Sequence, residues 1–204
     1  MDERPFLNDV QTLRHRARQH IEQGAATAGY GVDLRAVLEL LNDSLATETV
    51  CLLRYRCHHL MTKGTPSKRI GEEFLAHAQE EQRHADRIAE RIAQLGGEPD
   101  FSPDSPTSRS HSEHVEGASL EDGIIEDLVA ERVAIDTYRD IIRYLGDRDP
   151  TTRRLLEEIV ALEEEHADAL ADLLGGLPTK MAAARDARPA LPSPWRLQLH
   201  AKVK

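Results

Sequence analysis

Hydrophobic and polar positions interleave along this 204-residue chain in the manner of long helices, and the pattern breaks at few points. Lone glycines at Gly64 and Gly146 and pairs at Gly96-Gly97 and Gly175-Gly176 mark the breaks. Four long helices are predicted between them. The first runs from about Val32 to Thr62. The second opens on Thr65-Pro66, a capping residue followed by a first-turn proline, and ends near Leu95. The third follows Ser119, with Asp122 three residues on as an approximate capping box, and ends near Leu145. The fourth starts at Asp149-Pro150 and stops at Leu174. No apolar run approaches the roughly 18 residues needed to span a membrane.

The connections give the topology. The first and second helices, and the third and fourth, are joined by only a few residues, so each pair must form an antiparallel hairpin. Between the hairpins, Glu98 to Ala118 contains Pro99, Pro103 and Pro106 with serine, histidine and glycine. A helix of about 28 residues is roughly 42 Å long, and some 21 extended residues reach about 70 Å, so this segment can cross the length of a bundle. The predicted fold is all-α: an antiparallel four-helix bundle of two hairpins with one long crossover. Residues 1–31 form an N-terminal extension with a short basic helix over Asp9 to Gln23, and residues 32–176 form the bundle. Residues 177–204 form a tail rich in proline (Pro178, Pro189, Pro192, Pro194) with room for at most a short helix around Lys180 to Ala187.

Composition narrows the reading. The chain is 30% charged and only 4% aromatic, which suits helices better than sandwiches or barrels. Its net charge of −10 argues against a dedicated nucleic-acid binder and is compatible with a surface that attracts small cations. The run Arg14-His15-Arg16-Ala17-Arg18 is read as an interface or solvated helix, so DNA is not an expected partner. Cys51 and Cys57, six positions apart on one helix, are about 9 Å apart along the axis and point in different directions, so both are expected to be free thiols. The N-terminus lacks the apolar stretch of a secretory signal, and the cytoplasm is the expected compartment.

The candidate chemistry lies in an internal repeat. Glu81-Gln82-Arg83-His84-Ala85-Asp86 in one hairpin matches Glu163-Glu164-Glu165-His166-Ala167-Asp168 in the other. With 20 glutamates and 10 histidines in the chain, roughly one Glu-x-x-His is expected by chance, so the tetrapeptide alone is weak. The match extends upstream, however: Glu48 precedes Glu81 by 33 residues, Glu131 precedes Glu163 by 32, and each has a tyrosine seven residues later, Tyr55 and Tyr138. Positions i and i+3 share a helix face, so each motif presents an oxygen and a nitrogen to one point, which Glu48 and Glu131 are placed to reach from the other two helices. Four buried carboxylates need compensating charge, and two divalent cations supply it.

The segments Leu41 to Glu48, Glu81 to Ala89 and Glu157 to His166 resemble the bacterioferritin and DPS-like branch of the ferritin-like superfamily, over roughly Leu34 to Leu174. The resemblance implies a di-iron centre, with manganese as the other candidate metal. Glu48 and Glu131 would be its terminal ligands, Glu81 and Glu163 its bridging ligands, His84 and His166 its nitrogen ligands, and Tyr55 would stand beside the metals as a catalytic residue. It implies a ferroxidase that oxidises Fe(II) with O2 or H2O2 in a homo-oligomeric shell for iron storage and detoxification. A peroxidase or catalase on the same bundle and a DNA-protecting shell are the alternatives. Haem is not expected, because Gln82 stands where haem-binding relatives carry methionine. The proline-rich tail suits 12 subunits better than 24. Glu80, Glu164 and Glu165 are expected on solvated faces, His111 and His114 in an exposed loop, and Tyr138 and Cys51 as core residues.

Overall fold

The computed structural model describes residues 9–19, 21, 24, 26–27, 29–62, 68–104, 106–112 and 119–177. Among these there are six helices and no strand: α1 (Val10–Arg18), α2 (Leu34–Met61), α3 (Lys68–Gln94), α4 (Pro106–Arg109), α5 (Leu120–Leu145) and α6 (Pro150–Gly175). Helix α2 packs along α3 and α5 along α6, and the two hairpins meet through α2 against α5 and α3 against α6. This is the four-helix bundle that the sequence predicts. The expected Thr65-Pro66 helix start, Gly64, His114 and the tail helix at Lys180 lie outside the described residues. No described helix is long and apolar enough to cross a membrane.

Local chemistry sets the helix boundaries. Asp33 caps α2, its carboxylate accepting from the backbone N–H groups of Arg35 and Ala36. Ser119 Oγ accepts from the Asp122 N–H at 3.1 Å, which opens α5 where the sequence places it. Helix α3 closes on Gly96, whose φ of 79° favours glycine, and the Gly97 N–H returns 2.9 Å to the Ile92 carbonyl. A Cβ on Gly97 would come 2.5 Å from Leu38 Cδ2, so glycine lets α3 close on α2 without displacing that side chain. The basic helix α1 is shorter than predicted, ending at Arg18, and none of its residues is buried.

Asp149 does more than cap α6. Its carboxylate accepts from the Thr152 N–H (3.0 Å) and hydroxyl (2.5 Å) and from Tyr30 (2.5 Å), and it pairs with Arg91 of α3 at 3.2 Å. One buried carboxylate thus joins the two hairpins at that end. Replacing it removes a cap and strands the Arg91 guanidinium, so Asp149→Ala is expected to lower unfolding stability by about 3 kcal/mol, read by urea denaturation. A loss below half of that would show the network to be dispensable.

The described residues of the crossover, 98–104 and 106–112, pack against the bundle. They carry α4 against α2, and the Asp100 N–H donates to Asn42 Oδ1 at 2.9 Å. His111 corrects the expectation of an exposed loop residue. Its backbone N–H donates to Thr47 Oγ1 at 3.0 Å, its ring lies 3.2 Å from the same hydroxyl, and burial pushes its pKa below the ordinary value.

The bundle core is split in two. A larger apolar cluster includes Leu41, Leu45, Ile88, Ile92, Tyr138, Leu156 and Ile159, and a smaller one includes Tyr55, Phe74, Ala78, Ile124 and Leu170. Between them runs a polar layer.

Candidate metal centre

The polar layer brings together all six residues singled out by the repeat. Glu48 comes from α2, Glu81 and His84 from α3, Glu131 from α5, and Glu163 and His166 from α6. Each is at most 3% exposed, a burial that ionisable side chains adopt only when paired or coordinating. His84 Nδ1 lies 2.9 Å from Glu163 Oε1 and 3.3 Å from Glu48 Oε2. His166 Nδ1 lies 3.2 Å from Glu163 Oε2, 3.4 Å from Glu81 Oε1 and 3.8 Å from Glu131 Oε1.

These donors fall into two overlapping sets, each with ligand atoms within 4.8 Å of one another: Glu48, Glu81, His84, Glu163 and Glu81, Glu131, Glu163, His166. Glu81 and Glu163 belong to both. Five of the buried atoms make no well-aligned hydrogen bond: Glu48 Oε2, Glu81 Oε1, Glu163 Oε2 and His166 Nδ1, which only approach an ion-pair partner at 3.2 to 3.4 Å, and His84 Nε2. Poorly satisfied buried acceptors are rare and costly, and cations bound among the carboxylate oxygens and imidazole nitrogens would satisfy the four that face one another. The donor set therefore fits a pair of divalent metal ions.

Protonation reflects the same crowding. Desolvation and the neighbouring carboxylates push Glu81 and Glu131 well above the usual carboxylate range. Burial acts on Glu163 in the same sense, but the imidazoles of His166 and His84 beside it hold it below its ordinary value. For His84, burial opposes the charged form, yet Glu163 and Glu48 raise it to about 10. Protons thus supply the compensating charge when no cation does.

The two tyrosines are placed reciprocally. Tyr55 of α2 donates to Glu131 of α5, and Tyr138 of α5 donates to Glu48 of α2. Tyr138 is therefore a core residue that also holds a site carboxylate, which the sequence reading did not assign to it. Glu80 is a second correction. Expected on a solvated face, it lies 2.6 Å from His166 Nε2, because an imidazole aiming one nitrogen inward needs a partner for the other. Glu164 and Glu165 are exposed, as expected. Cys51 and Cys57 are both free, and burial raises the Cys51 thiol far above the usual cysteine range, so it stays protonated.

Two features had no sequence signal. His77, 3% exposed, stacks on His166 with ring centroids 4.2 Å apart and stands edge-on to Tyr55 at 5.1 Å, and burial drives its pKa down to about 3. Arg54 is likewise buried, 2.7 Å from Asp127 Oδ1, with His58 Nδ1 2.7 Å from the other oxygen. That guanidinium pairs directly with Asp127 and reaches the site only as one positive charge beside Glu131, too little for four carboxylates.

Comparisons with known proteins place the chain. The sequence model of the Ferritin-like domain matches residues 38–179. A bacterioferritin of Mycobacterium avium is 33% identical over 135 residues, covering 66% of this chain and 80% of the relative. A DNA protection during starvation protein of Pyrococcus furiosus is 29% identical over 163 residues, covering 73% and 82%. Among solved structures, a dodecameric thioferritin, the bacterioferritin-related protein of Bacteroides fragilis, aligns with a TM-score of 0.67 at 29% identity, covering 71% of this chain and 87% of that one. The bacterioferritin of Mycobacterium tuberculosis aligns with a TM-score of 0.61 at 31% identity, covering 69% and 84%. With most of its bundle inside that match and its acidic, histidine-bearing layer at the middle, the chain belongs to the ferritin-like family, with bacterioferritins and a starvation-protection protein among its relatives.

Proposed function

We propose that this chain is a ferroxidase subunit that takes two Fe(II) ions as substrate at the six-residue centre and passes the oxidised product into the cavity of a homo-oligomeric shell. The observation that carries the reading is the pair of overlapping donor sets, with Glu81 and Glu163 common to both and five buried atoms among them that make no well-aligned hydrogen bond. Glu48 and His84 would hold one ion, Glu131 and His166 the other, and Glu81 and Glu163 both. Two bound Fe(II) ions supply two electrons, which with two protons reduce dioxygen to hydrogen peroxide. The residues do the rest. Tyr55 and Tyr138 fix the terminal carboxylates by hydrogen bonds, Glu80 fixes the ring of His166, and the apolar clusters on either side keep bulk water from the layer. The hydrogen bond to Glu131 also holds the Tyr55 phenol beside that half of the centre.

Iron is favoured over copper by the oxygen-rich donors, with manganese as the other candidate. The dodecameric neighbour and the proline-rich tail favour 12 subunits over 24. A haem is not part of the proposal: Gln82 is on the surface, bonded to Asp86 at 3.0 Å. The two free thiols fit the cytoplasm.

Anaerobic titration of the purified chain with Fe(II) is expected to saturate at about two ions per chain with release of protons, so that apparent affinity rises with pH, followed by rapid oxidation when air is admitted. Saturation below one ion per chain would remove the ferroxidase reading.

A further inference from the structure

The two halves of the repeat are alike in their six site residues but unlike in what holds their histidines. His84 of α3 and His166 of α6 both turn Nδ1 toward the carboxylates, so each must place its other ring nitrogen, Nε2, elsewhere. For His166 that nitrogen meets Glu80 Oε2 at 2.6 Å. Arg83 holds the second Glu80 oxygen at 3.0 Å, which fixes the carboxylate, and the ring of His77 stacks on the face of His166.

His84 has no such carboxylate. Glu80 stands one residue before Glu81 and reaches the histidine of the other hairpin, whereas the matching position before Glu163 is Leu162, which has no acceptor to offer. His84 is 1% exposed, and its Nε2 is buried without a hydrogen-bond partner.

The difference bears on metal binding through the tautomer. A neutral imidazole that gives its Nδ1 lone pair to a cation carries its proton on Nε2. On His166 that N–H donates to a carboxylate, which orients the ring and makes Nδ1 the stronger donor. On His84 the same N–H would be a buried donor with nothing to receive it, and leaving it so costs free energy. One charge acts the other way, since Arg54 lies beside Glu131, but Asp127 pairs it at 2.7 Å and offsets it.

We propose that the two ions bind in order: first and more tightly the ion held by Glu131 and His166, then the ion held by Glu48 and His84, with Glu80 as the positioning residue that sets the order. This order presupposes the metal-binding reading of the six residues and adds to it an inequality that the six do not themselves contain.

The test is anaerobic titration with Co(II), read by visible absorption and calorimetry, on chains reduced to one ion. His84→Ala leaves the position of Glu131 and His166, and His166→Ala leaves that of Glu48 and His84. The remaining ion is expected to bind about tenfold or more tightly in His84→Ala than in His166→Ala. Glu80→Leu, which copies Leu162, is expected to weaken it about tenfold in the His84→Ala chain and to leave it unchanged in the His166→Ala chain, a contrast that a general loss of packing would not produce. In the otherwise wild-type chain the same substitution is expected to lower the product of the two association constants about tenfold, a readout that needs neither histidine variant to fold. Equal binding in the two single-ion chains, or tighter binding in His166→Ala, would overturn the order. A Glu80→Leu effect that is absent, or the same in both chains, would overturn the assignment of Glu80. Failure of the wild-type chain to bind Co(II) would overturn the six-residue centre itself.

Discussion

Glu81→Ala and His84→Ala are each expected to slow stoichiometric Fe(II) oxidation by about a hundredfold or more, with helical content unchanged by circular dichroism. The two losses should differ in kind. Glu81 belongs to both donor sets, so its removal weakens both ions together. His84 belongs to one set, so its removal leaves Glu81, Glu131, Glu163 and His166 in place, and about one ion per chain should remain bound. Oxidation fails in both cases because a two-electron reduction of dioxygen draws one electron from each ion. Stopped-flow oxidation kinetics and metal analysis on the same samples read the two effects separately. Wild-type kinetics in either variant would sink the site assignment.

The second large effect runs opposite to activity. In the metal-free chain Glu81 is buried among three other carboxylates, and its raised pKa means that folding favours the protonated acid. A raised carboxyl pKa contributes stability that is fully present below the unfolded value near 4.5 and is lost as pH rises through the folded value. Glu81→Gln keeps the shape and removes the ionisation. The metal-free variant is therefore expected to be more stable than the wild type by about 2 kcal/mol at pH 8, with the gain shrinking toward pH 5, where Glu81 is protonated unaided. Adding metal should reverse the ranking, because the wild type binds the ions more tightly and is stabilised more by them. Thermal unfolding with chelator and with saturating Co(II) at both pH values reads the four states. A metal-free Glu81→Gln chain less stable than the wild type at pH 8 would show that crowding of the carboxylates does not strain the fold.

How far the sequence carried follows from what a repeat can reveal. Helix boundaries were legible to within a few residues because caps and turn glycines act locally: Asp33, Ser119, Asp149 and Gly96 each do their work within one turn of their own position. The six central residues were legible because both halves carry them at matched spacing, and the structure gathers them into one buried layer. What both halves share is also all that such a comparison finds. His77 and Glu80 occur in one half only, so the repeat hides them, and the charge of Glu80 suggested solvent when a ring nitrogen on another helix claimed it. Tyr138 was visible by symmetry with Tyr55, but its pairing with Glu48 depends on how α5 turns toward α2, which no local pattern encodes. His111 docks on Thr47 across 64 residues of sequence, and the polar character of its surroundings gave the opposite impression.

The donor sets also have a mechanical meaning. Each draws side chains from both hairpins, which are otherwise tied in sequence only by the crossover. A cation held by Glu48 and Glu163 closes a loop of more than one hundred residues, a span over which a covalent cross-link would remove several kcal/mol of chain entropy from the unfolded state, by about the amount known for disulfides. This chain, with both its cysteines free, would hold its two halves together through a bond that forms when metal is plentiful and dissolves when it is scarce.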